Sequence, residues 1–523
     1  MQFKDLPMLF DQGQNIVVVE APVTERIKIL EFMYQIASSR RQYLYFWNQG
    51  YMQLQQVNQS IQLIRQTADV IGNSGLAWLL ENPEATGIFV FEGEISPDAI
   101  TGAIGQQTLF ILSNLFYELA KKNRQQFVVC LEAYIELPVS VAPLIPVLNY
   151  ERANPEQVQQ IVHTIFGNQF GLKADNFYRN CLGLPCGELE IALLRLSRQI
   201  SSYEELADAV LAYKKNKLKG QGVEFINEPD VLHAGGLDLL EEILERAAVL
   251  LKPEAKNYNL KFPKGMILWG PPGTGKSLSA KLAAKKMGVP LVAADWSGLR
   301  GSTAFESRKN LREFLQFCDA NGTHGLVLYF DDFDKGFAGF DSDNDGGISR
   351  QLAGKLLTWM QERTSQVLVM ATVNRLEFLP PELVRRFDDI IFVDLPHAGA
   401  RYEIFKLHLA KYFPELDFSE KDWWRLLNET KLLTPAEIAL VVRKTAESAF
   451  YRNCKLFLNE ELASKPLQVT VRDFIEQRHR FTPSMIREED KILEIRNKAF
   501  YARPAASPDT SKWAKAPTVL FGS

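Results

Sequence analysis

The chain has 523 residues, 46% of them hydrophobic and 23% charged, which is the balance of an average soluble globular protein with room for two to four domains. The formal net charge of −4 and the lack of a Lys/Arg-rich block argue against a general nucleic-acid binder, because such proteins are usually basic. No uncharged apolar run approaches the ~20 residues needed to cross a bilayer, so no membrane span is predicted.

The cysteines and the N-terminus bear on the cellular compartment. Cys181 and Cys186 form a C-x4-C pair, but no second pair or histidine cluster accompanies them, so a zinc site is not predicted. Scattered cysteines are typical of a reduced, intracellular protein. The start "MQFKDLPMLFDQGQN" lacks the features of a signal or transit peptide. We therefore expect a cytoplasmic protein, or a protein of an organelle that makes its own proteins.

The first region, residues 1–225, alternates β-like runs with helical patterns, which predicts an α/β domain with a mostly parallel sheet. The candidate strands are "NIVVVEAP" (15–22), "YLYFW" (43–47), "GIFVFEG" (87–93) and "FVVCLEAYIELP" (127–138). The aromatic residues of "YLYFW" are predicted to be core, since the strand pattern already explains them.

Four further regions follow. The charged, glycine-containing stretch "YKKNKLKGQGVEFINEPD" (213–230) is predicted to be a linker. A second α/β domain is predicted over 226–396, ending in the strand "DIIFVDLP", and a helical domain over 397–500. The Ala-, Pro- and Ser-rich tail, 501–523, is predicted to be disordered.

A glycine-rich loop follows the hydrophobic run "MILW". Residues 270–277 are "GPPGTGKS", which satisfies G-x-x-x-x-G-K-[ST] between a predicted strand and a predicted helix. Glycines let backbone N–H groups wrap phosphate oxygens, and the helix presents its positive dipole end to the anion. Lys276 is predicted to reach the outer phosphates and Ser277 to bind Mg²⁺. The predicted contacts to Mg-ATP come from nine residues: Gly270, Pro271, Pro272, Gly273, Thr274, Gly275, Lys276, Ser277 and Leu278.

Two later strands supply polar residues at the same edge of the predicted sheet. The strand in "GLVLYFDDFDK" (325–335) ends at Asp331, which is predicted to hold Mg²⁺ through water. The next carboxylate, Asp332, is predicted to polarise the attacking water. The strand "VLVMATVN" (367–374) ends in Asn374, predicted to orient that water. Each feature alone is common in strand-end turns, but beside the phosphate loop they favour ATP hydrolysis.

These motifs resemble those of a known family in order and spacing. The segments are "GGLDLLEEIL", "GPPGTGKS", "ESRKNLR", "YFDDFDK", "ATVNR" and "PPELVRRFDDIIFVDLP". Residues 231–500 therefore resemble an AAA-type ATPase module. The segments "YNLKFPKG" and "LTWMQERTSQVLVMATVNRLEFLPPEL" are most similar to the divergent AAA family of cyanobacteria and red-algal plastid genomes. This resemblance implies a P-loop parallel-sheet domain with a C-terminal helical lid, preceded by a degenerate AAA-like α/β domain.

The same resemblance implies further site residues. Backbone groups of three residues would contact adenine: Ala234, Gly235 and Gly236. Arg385 or Arg386 would act as an arginine finger on a neighbouring subunit's nucleotide, which requires a homo-oligomer, commonly a hexamer. The segment "LTPAEIALVV" would open the lid helix that faces the nucleotide, with Thr434 as N-cap and Pro435 at its first position.

Three departures from the family pattern predict weaker ATP hydrolysis and substrate threading than in typical AAA proteins. Asp332 stands where the family has Glu, and a carboxylate withdrawn by about 1 Å can cost ~100-fold in rate, so hydrolysis is predicted to be slow. In "LVRRFDD" the arginines are adjacent, and in an extended segment only one of them can reach a phosphate. Phe305 is displaced and lacks the glycine that follows the aromatic residue of protein-threading relatives, so threading of a substrate is disfavoured.

The N-terminal domain lacks the phosphate loop. The segment "NIVVVEAPVTERIKIL" lies where a duplicated module would carry this loop, yet it contains no Gly-Lys-Ser. The segment "GIFVFEGEI" resembles the acidic second strand, but without a phosphate cradle Glu92 and Glu94 are predicted to be solvated turn residues. Residues 1–225 are therefore expected to be a nucleotide-free scaffold or a partner-binding domain.

The leading hypothesis is an AAA-type ATPase that binds Mg-ATP, hydrolyses it slowly and remodels or regulates an unidentified protein client. The family resemblance implies a regulatory role in photosynthetic organisms, in carbon use. The alternative is a nucleotide-gated scaffold that binds ATP with negligible turnover. A nucleic-acid motor is disfavoured by the acidic net charge.

Overall fold

The computed structural model describes residues 2–70, 72–95, 102–121, 125–150, 152–167, 175–198, 203–219, 222–226, 235–296, 298–337, 347–456 and 467–514. The chain forms two compact units, Met1–Asn216 and Lys217–Ser523. Each unit is built on a seven-stranded sheet. In both units helices alternate with mainly parallel strands, as the sequence pattern predicts.

The strands of the N-terminal unit are β1 (Ile16–Glu20), β2 (Leu44–Asn48), β3 (Gln53–Val57), β4 (Leu63–Val70), β5 (Gly87–Glu92), β6 (Gln126–Glu132) and β7 (Val147–Asn149). Their order in the sheet is β4-β3-β2-β5-β6-β1-β7. All pairs are parallel except those made by β3 and β4, which form an antiparallel hairpin at one edge. The four predicted strands are confirmed. The hairpin was missed because glutamines interrupt its hydrophobic pattern.

The helices of this unit are α1 (Leu6–Asp11), α2 (Arg26–Ser39), α3 (Gly75–Glu81), α4 (Gly102–Leu119), α5 (Pro155–Phe166), α6 (Asp175–Cys181), α7 (Cys186–Leu196) and α8 (Tyr203–Lys219). One core lies between the sheet and α1 with α2, and a second lies between the opposite face and α3 with α4. A third core joins α5 to α8 into a helical subdomain. Phe46 and Trp47 are fully buried, which confirms the core interpretation of "YLYFW" for these two residues.

The strands of the C-terminal unit are β8 (Val223–Ile226), β9 (Gly265–Trp269), β10 (Leu291–Ala294), β11 (Leu326–Phe330), β12 (Val367–Val373), β13 (Asp389–Phe392) and β14 (Arg503–Pro504). Their order is β14-β13-β9-β12-β11-β10-β8. Only the edge strand β8 pairs in an antiparallel manner.

The helices of this unit are α9 (Asp238–Val249), α10 (Lys276–Met287), α11 (Ala304–Asn321), α12 (Ile348–Glu362), α13 (Pro381–Val384), α14 (Ala398–Tyr412), α15 (Glu420–Glu429), α16 (Pro435–Leu456), α17 (Val471–His479), α18 (Ser484–Arg487) and α19 (Glu489–Lys498). Apolar residues of α9 and α10 pack on the sheet, and α14 to α17 enclose a separate core that forms the helical lid. Within the described ranges, no helix has both the length and the hydropathy needed to cross a membrane.

Five parallel strands have the same arrangement in both units. The N-terminal order is β2-β5-β6-β1-β7 and the C-terminal order is β10-β11-β12-β9-β13. If the five strands of each unit are numbered in chain order, their order across the sheet is second, third, fourth, first, fifth. The carboxyl ends of these parallel strands meet at one edge, which is where open α/β sheets hold their ligands.

The structure corrects two boundary predictions. The boundary between the units, Asn216 to Lys217, falls within the predicted linker 213–230, but the described parts of this stretch are regular, because α8 continues to Lys219 and β8 pairs with β10. The tail is ordered over residues 501–514, since β14 pairs with β13 and Trp513, 3% exposed, packs into the lid core. Most residues of the tail are small or polar. The ordered contacts involve only a two-residue strand and one buried tryptophan, so the composition of the tail did not reveal them. Residues 515–523 lie outside the described ranges.

Candidate active site

The glycine-rich loop joins β9 to α10 at the carboxyl edge of the sheet. Gly270, Gly273 and Gly275 have φ values of +152°, +79° and +100°, which L side chains rarely adopt. A Cβ atom on Gly270 would lie 2.2 Å from the carbonyl oxygen of Val393, so glycine is also needed there for space. The loop thus has the conformation of an anion-binding concavity, to which α10 adds its N-terminal N–H groups.

Lys276 is the first residue of α10 and is 8% exposed. Its Nζ donates hydrogen bonds to the carbonyl oxygens of Gly270 (2.7 Å) and Pro271 (2.9 Å) and to Oδ1 of Asn374 (3.2 Å). Burial lowers the pKa of Lys276 to about 8, although three nearby aspartates oppose this shift. An anion beside Nζ would oppose the shift further, so the position suits a phosphate group.

Asp331 follows β11, whose five residues are all buried. Its Oδ1 accepts hydrogen bonds from the hydroxyls of Tyr329 (2.7 Å) and Thr372 (2.8 Å) and from the backbone N–H of Asp332 (3.1 Å). The Ser277 side chain also interacts with the Tyr329 hydroxyl. One phenol therefore connects the two residues predicted to bind Mg²⁺. Hydroxyl and carboxylate oxygens are ligands that Mg²⁺ prefers, so this donor set fits the ion.

A cavity of about 550 Å³ opens beside these residues. Its wall includes Ser277, Lys281, Tyr329, Asp331 and Lys335. The volume lies within the range of roughly 300–1,000 Å³ found for small-molecule sites in proteins. The predicted metal ligands thus face a space that a nucleotide phosphate and its hydrated ion can enter.

Asp332 has a left-handed backbone, with φ of +45°. Its Oδ1 accepts a hydrogen bond of 2.8 Å from Nδ2 of Asn374, and its Oδ2 pairs with Nζ of Lys335 at 2.6 Å. Its N–H donates to the Thr372 hydroxyl at 3.0 Å. A left-handed conformation costs about 1–3 kcal/mol in a non-glycine residue, so these contacts must hold it in place. Both carboxylate oxygens are engaged within the protein.

Asn374 follows β12 and connects two functional groups. Its side-chain oxygen accepts from Lys276, and its side-chain nitrogen donates to Asp332. The backbone N–H groups of Asn374 and Arg375 donate to the carboxylate of Asp334 at 3.3 and 3.0 Å. Asp334 is 3% exposed, and burial raises its pKa. The buried carboxylate of Asp334 therefore anchors the turn that positions Asn374.

Comparison with known proteins places this geometry in a family. The model of the ATPase family associated with various cellular activities (AAA) matches residues 266–395, the stretch that carries every side chain described above. The AAA domain-containing protein ycf46 of Guillardia theta is 30% identical over 384 residues, which are 70% of this chain and 75% of that protein. The chain belongs to the ycf46 family.

The chain is also similar to two other proteins. The ycf46 protein of Pyropia yezoensis is 27% identical over 381 residues, again 70% of this chain and 75% of that protein. The AAA domain of FIGL-1 in complex with ADP is 18% identical, with a TM-score of 0.45, and the match covers 55% of this chain and 96% of that one. The α/β P-loop fold expected from the sequence is confirmed for this ycf46-family chain.

The lid of this ycf46-family chain contacts the phosphate loop. The N–H of Ala436 donates to the carbonyl oxygen of Gly273 at 3.3 Å. The Thr434 hydroxyl accepts from the N–H of Glu437 (3.2 Å), whose carboxylate accepts from the N–H (2.9 Å) and hydroxyl (3.1 Å) of Thr434. The predicted N-cap is confirmed, and α16 begins at Pro435. The lid helix thus starts directly above the loop.

The two candidate finger residues lie apart from this cluster. Arg385 and Arg386 are exposed at the C-terminal end of α13. Their N–H groups donate to the carbonyl oxygens of Pro381 and Leu383, so the segment is a helical turn and not the extended segment considered from the sequence. Within one subunit, the structure does not bring either arginine to Lys276.

The predicted adenine contacts lie at the lid. A Cβ atom on Gly236, whose φ is +75°, would lie 2.3 Å from that of Ala400. Gly235 packs against Ile404 of the same helix, α14. Ala234 lies outside the described residues. The adenine contacts therefore remain a prediction.

Sequence reasoning missed four residues of the site: Tyr329, Thr372, Asp334 and Lys335. A signal was present for the first two, because Tyr329 precedes Asp331, and Thr372 precedes Asn374, by two residues on a strand. Residues two apart on a strand lie on the same face, so each hydroxyl could have been assigned to the same edge as its polar neighbour.

Proposed function

We propose that the chain binds Mg-ATP at residues 270–278 and hydrolyses it slowly to ADP and phosphate. The observation that carries this proposal is the convergence of Lys276, Asp331 and Asn374 from the ends of three adjacent strands. The lysine and the asparagine are in direct contact, and Tyr329 links the aspartate to Ser277 beside the lysine.

Each residue has a separate role in this proposal. The Ser277 hydroxyl and the Asp331 carboxylate would hold Mg²⁺, which neutralises phosphate charge when bound. Lys276 would exchange its loop carbonyl partners for phosphate oxygens. Asn374 would orient the attacking water, and Asp332 would accept its proton.

Slow turnover follows from the position of Asp332. Its side chain is one methylene shorter than the glutamate of the family pattern, and both its oxygens already have partners. A general base must lie within hydrogen-bond reach of the water that it activates. Asp332 would have to accept from this water in addition to, or in place of, Asn374 or Lys335.

Calorimetry and turnover assays test this proposal together. ATP with Mg²⁺ should bind the purified chain saturably, and Lys276→Ala should abolish binding. Asp332→Glu should raise the hydrolysis rate by about 10-fold or more, because the longer side chain recovers about 1 Å of reach. Equal heats for Lys276→Ala and the parent chain would refute ATP binding at this loop.

A nucleotide-gated scaffold is the second candidate, favoured by the engagement of both Asp332 oxygens. It predicts that ATP binds and changes the assembly state, while turnover is undetectable at every protein concentration. A measurable rate that disappears in Lys276→Ala would exclude it.

We also propose homo-oligomerisation, with a hexamer as the expected state. Arg385 and Arg386 are exposed, as a finger acting on a neighbouring subunit requires. Sedimentation with and without ATP should reveal an oligomer, and the ATPase rate per subunit should rise with protein concentration. Either Arg385→Ala or Arg386→Ala should lower that rate without changing nucleotide affinity. If both variants keep the parental rate, the finger assignment fails.

The cellular role that we propose is regulation of a protein client in photosynthetic carbon use, in the cytoplasm or the plastid stroma. It rests on the family resemblance and on the ycf46 relatives from Guillardia theta and Pyropia yezoensis. A deletion strain should grow poorly at limiting inorganic carbon and normally when carbon is abundant. The intact gene should restore growth, and a Lys276→Ala copy should not. Equal growth of all strains under both conditions would exclude this role.

A further inference from the structure

We propose that the ion pair between Arg26 and Glu92 substitutes for nucleotide and magnesium in the N-terminal unit. The unit would then be a fixed, nucleotide-independent module, and the chain would have a single nucleotide site. This inference is independent of whether the C-terminal site hydrolyses ATP.

The strand register supports the equivalence of the two positions. In the C-terminal sheet, Leu268, the residue before the last of β9, pairs with Thr372. Asp331 lies beside Thr372, because the preceding residues Phe330 and Ala371 are paired and the Thr372 hydroxyl donates to Asp331. In the N-terminal sheet, Val19, the residue before the last of β1, pairs with Leu131, which pairs with Glu92. Glu92 therefore stands at the position of Asp331.

The first residue of the following helix is basic in both units. Lys276 opens α10, seven residues after the end of β9. Arg26 opens α2, six residues after the end of β1. The connecting loops differ, because Ala21–Glu25 contains no residue with positive φ and includes a 3-10 turn. The N-terminal loop lacks the conformation that gathers N–H groups around an anion.

Arg26 and Glu92 are joined by two parallel hydrogen bonds. Nε of Arg26 donates to Oε1 at 2.8 Å, and a terminal nitrogen donates to Oε2 at 2.6 Å. The side chain of Asn48 adds a third hydrogen bond to Oε2 at 2.8 Å. The Glu92 side chain is 11% exposed. A bidentate pair of this kind ties the start of α2 to the end of β5.

Other carboxylates at this edge are also occupied. Glu20, Glu94 and Glu132 are less than 9% exposed and accept hydrogen bonds from backbone N–H groups. The prediction that Glu92 and Glu94 are solvated is therefore wrong. Because their oxygens accept hydrogen bonds from backbone N–H groups of the same unit, these carboxylates serve the fold of the unit.

The helical subdomain of this unit also contacts the loop between β1 and α2. Oε1 of Glu25, a fully buried residue, accepts a hydrogen bond of 2.7 Å from the N–H of Gly187. A Cβ atom on Gly187 would lie 2.0 Å from the carbonyl oxygen of Thr24. Gly187 is the second residue of α7 and Ala436 the second of α16, so in both units the N–H at this helix position donates to the loop after the first parallel strand. Protein contacts alone bridge strand, loop and helical subdomain in this unit.

Hydrogen exchange on the full chain tests nucleotide independence. With Mg-ATP, exchange should slow in residues 270–287 and stay unchanged in 21–39. In the Lys276→Ala chain, ATP should change neither segment. ATP-dependent protection of 21–39 that persists in Lys276→Ala would overturn the proposal. Absence of protection everywhere would refute ATP binding at the C-terminal loop and leave the ion-pair test below unaffected.

Charge exchange tests the pair itself. Arg26→Glu and Glu92→Arg should each accelerate exchange in 21–39 and 87–95 at least 10-fold, and the double variant should recover most of the parental protection. The matched control is Lys121→Glu, which breaks an exposed pair with Glu118 in the same unit and should leave both segments unchanged. If the single variants match the parent, or the double variant shows no recovery, the pair does not hold the unit together.

Discussion

Asn374 donates a hydrogen bond of 2.8 Å to Asp332 while accepting one of 3.2 Å from Lys276. One amide thereby connects the predicted phosphate-binding cation to the predicted general base. When Lys276 binds a phosphate, Asn374 loses its hydrogen bond from the lysine. The Asn374 amide can then shift, which changes its hydrogen bond to Asp332. The arrangement offers a direct way for bound nucleotide to affect the acid that acts on water.

Replacing this amide should affect turnover more than binding. In Asn374→Ala we expect ATP affinity within about 3-fold of the parent and hydrolysis slower by about 10²-fold, the usual cost of losing one positioned polar group. Steady-state rates and calorimetry measure the two quantities. Asn310→Ala, on α11 away from the site, is the control. An equal loss of affinity and rate would show that Asn374 serves binding and not water positioning.

Lys335 should restrain Asp332. The pair is exposed, 69% for the lysine side chain and 40% for the aspartate, so its strength is modest. Lys335→Met should free one carboxylate oxygen and raise the hydrolysis rate by about 2–5-fold, while Lys335→Arg should keep the parental rate. Rates are compared at saturating Mg-ATP. A slower Lys335→Met enzyme would mean that the lysine supports catalysis.

The sequence predicted those residues of this site that belong to short local motifs. The loop, Asp331 and Asn374 follow from motifs at strand ends, and the structure brings them together. The left-handed backbone of Asp332 and its pair with Lys335 could not be predicted, because they depend on how the turn after β11 packs. The pairing of β14 was missed for a related reason, since two residues carry no periodic signal.

Tyr329 should affect the Mg²⁺ concentration that activity requires. Its hydroxyl contacts both Ser277 and Asp331, so Tyr329→Phe removes the link between the two predicted ligands while keeping the ring packed. We expect the Mg²⁺ concentration for half-maximal activity to rise about 3–10-fold, with an unchanged melting temperature. Tyr412→Phe, in the lid, is the matched control. A parental Mg²⁺ dependence in Tyr329→Phe would show that the phenol is only structural.

Gly270 and Gly354 should respond in opposite ways to alanine. At Gly270, φ is +152° and a Cβ would lie 2.2 Å from a carbonyl oxygen, so Gly270→Ala should lower the free energy of unfolding by about 2 kcal/mol or more and weaken ATP binding. Gly354 is exposed in α12 with open space around its Cβ position, so Gly354→Ala should stabilise by about 0.5–1 kcal/mol. Denaturant unfolding of both variants measures the contrast. Equal effects would contradict the loop geometry.

Glu132 should make the stability of the N-terminal unit depend on pH. The residue is 3% exposed, and burial, with Glu94 and Glu92 nearby, raises its pKa to about 8, against about 4.3 in an unfolded chain. Between these values the folded state binds more protons than the unfolded state. The free energy of unfolding therefore falls as pH rises from about 4.5 to about 8, and this contribution is constant above.

The variant Glu132→Gln removes the titrating group and keeps an oxygen that can accept from the N–H of Ile95, at 2.7 Å in the parent. We expect parent and variant to be similar near pH 5 and the variant to be more stable by about 2–4 kcal/mol at pH 8. Scanning calorimetry at several pH values gives the difference in unfolding free energy between variant and parent. The C-terminal unit is the same in both proteins and cancels in this difference. Glu118→Gln, on an exposed helix position, should follow the parent at every pH. A pH-independent difference between Glu132→Gln and the parent would show that the Glu132 carboxyl does not titrate in this range.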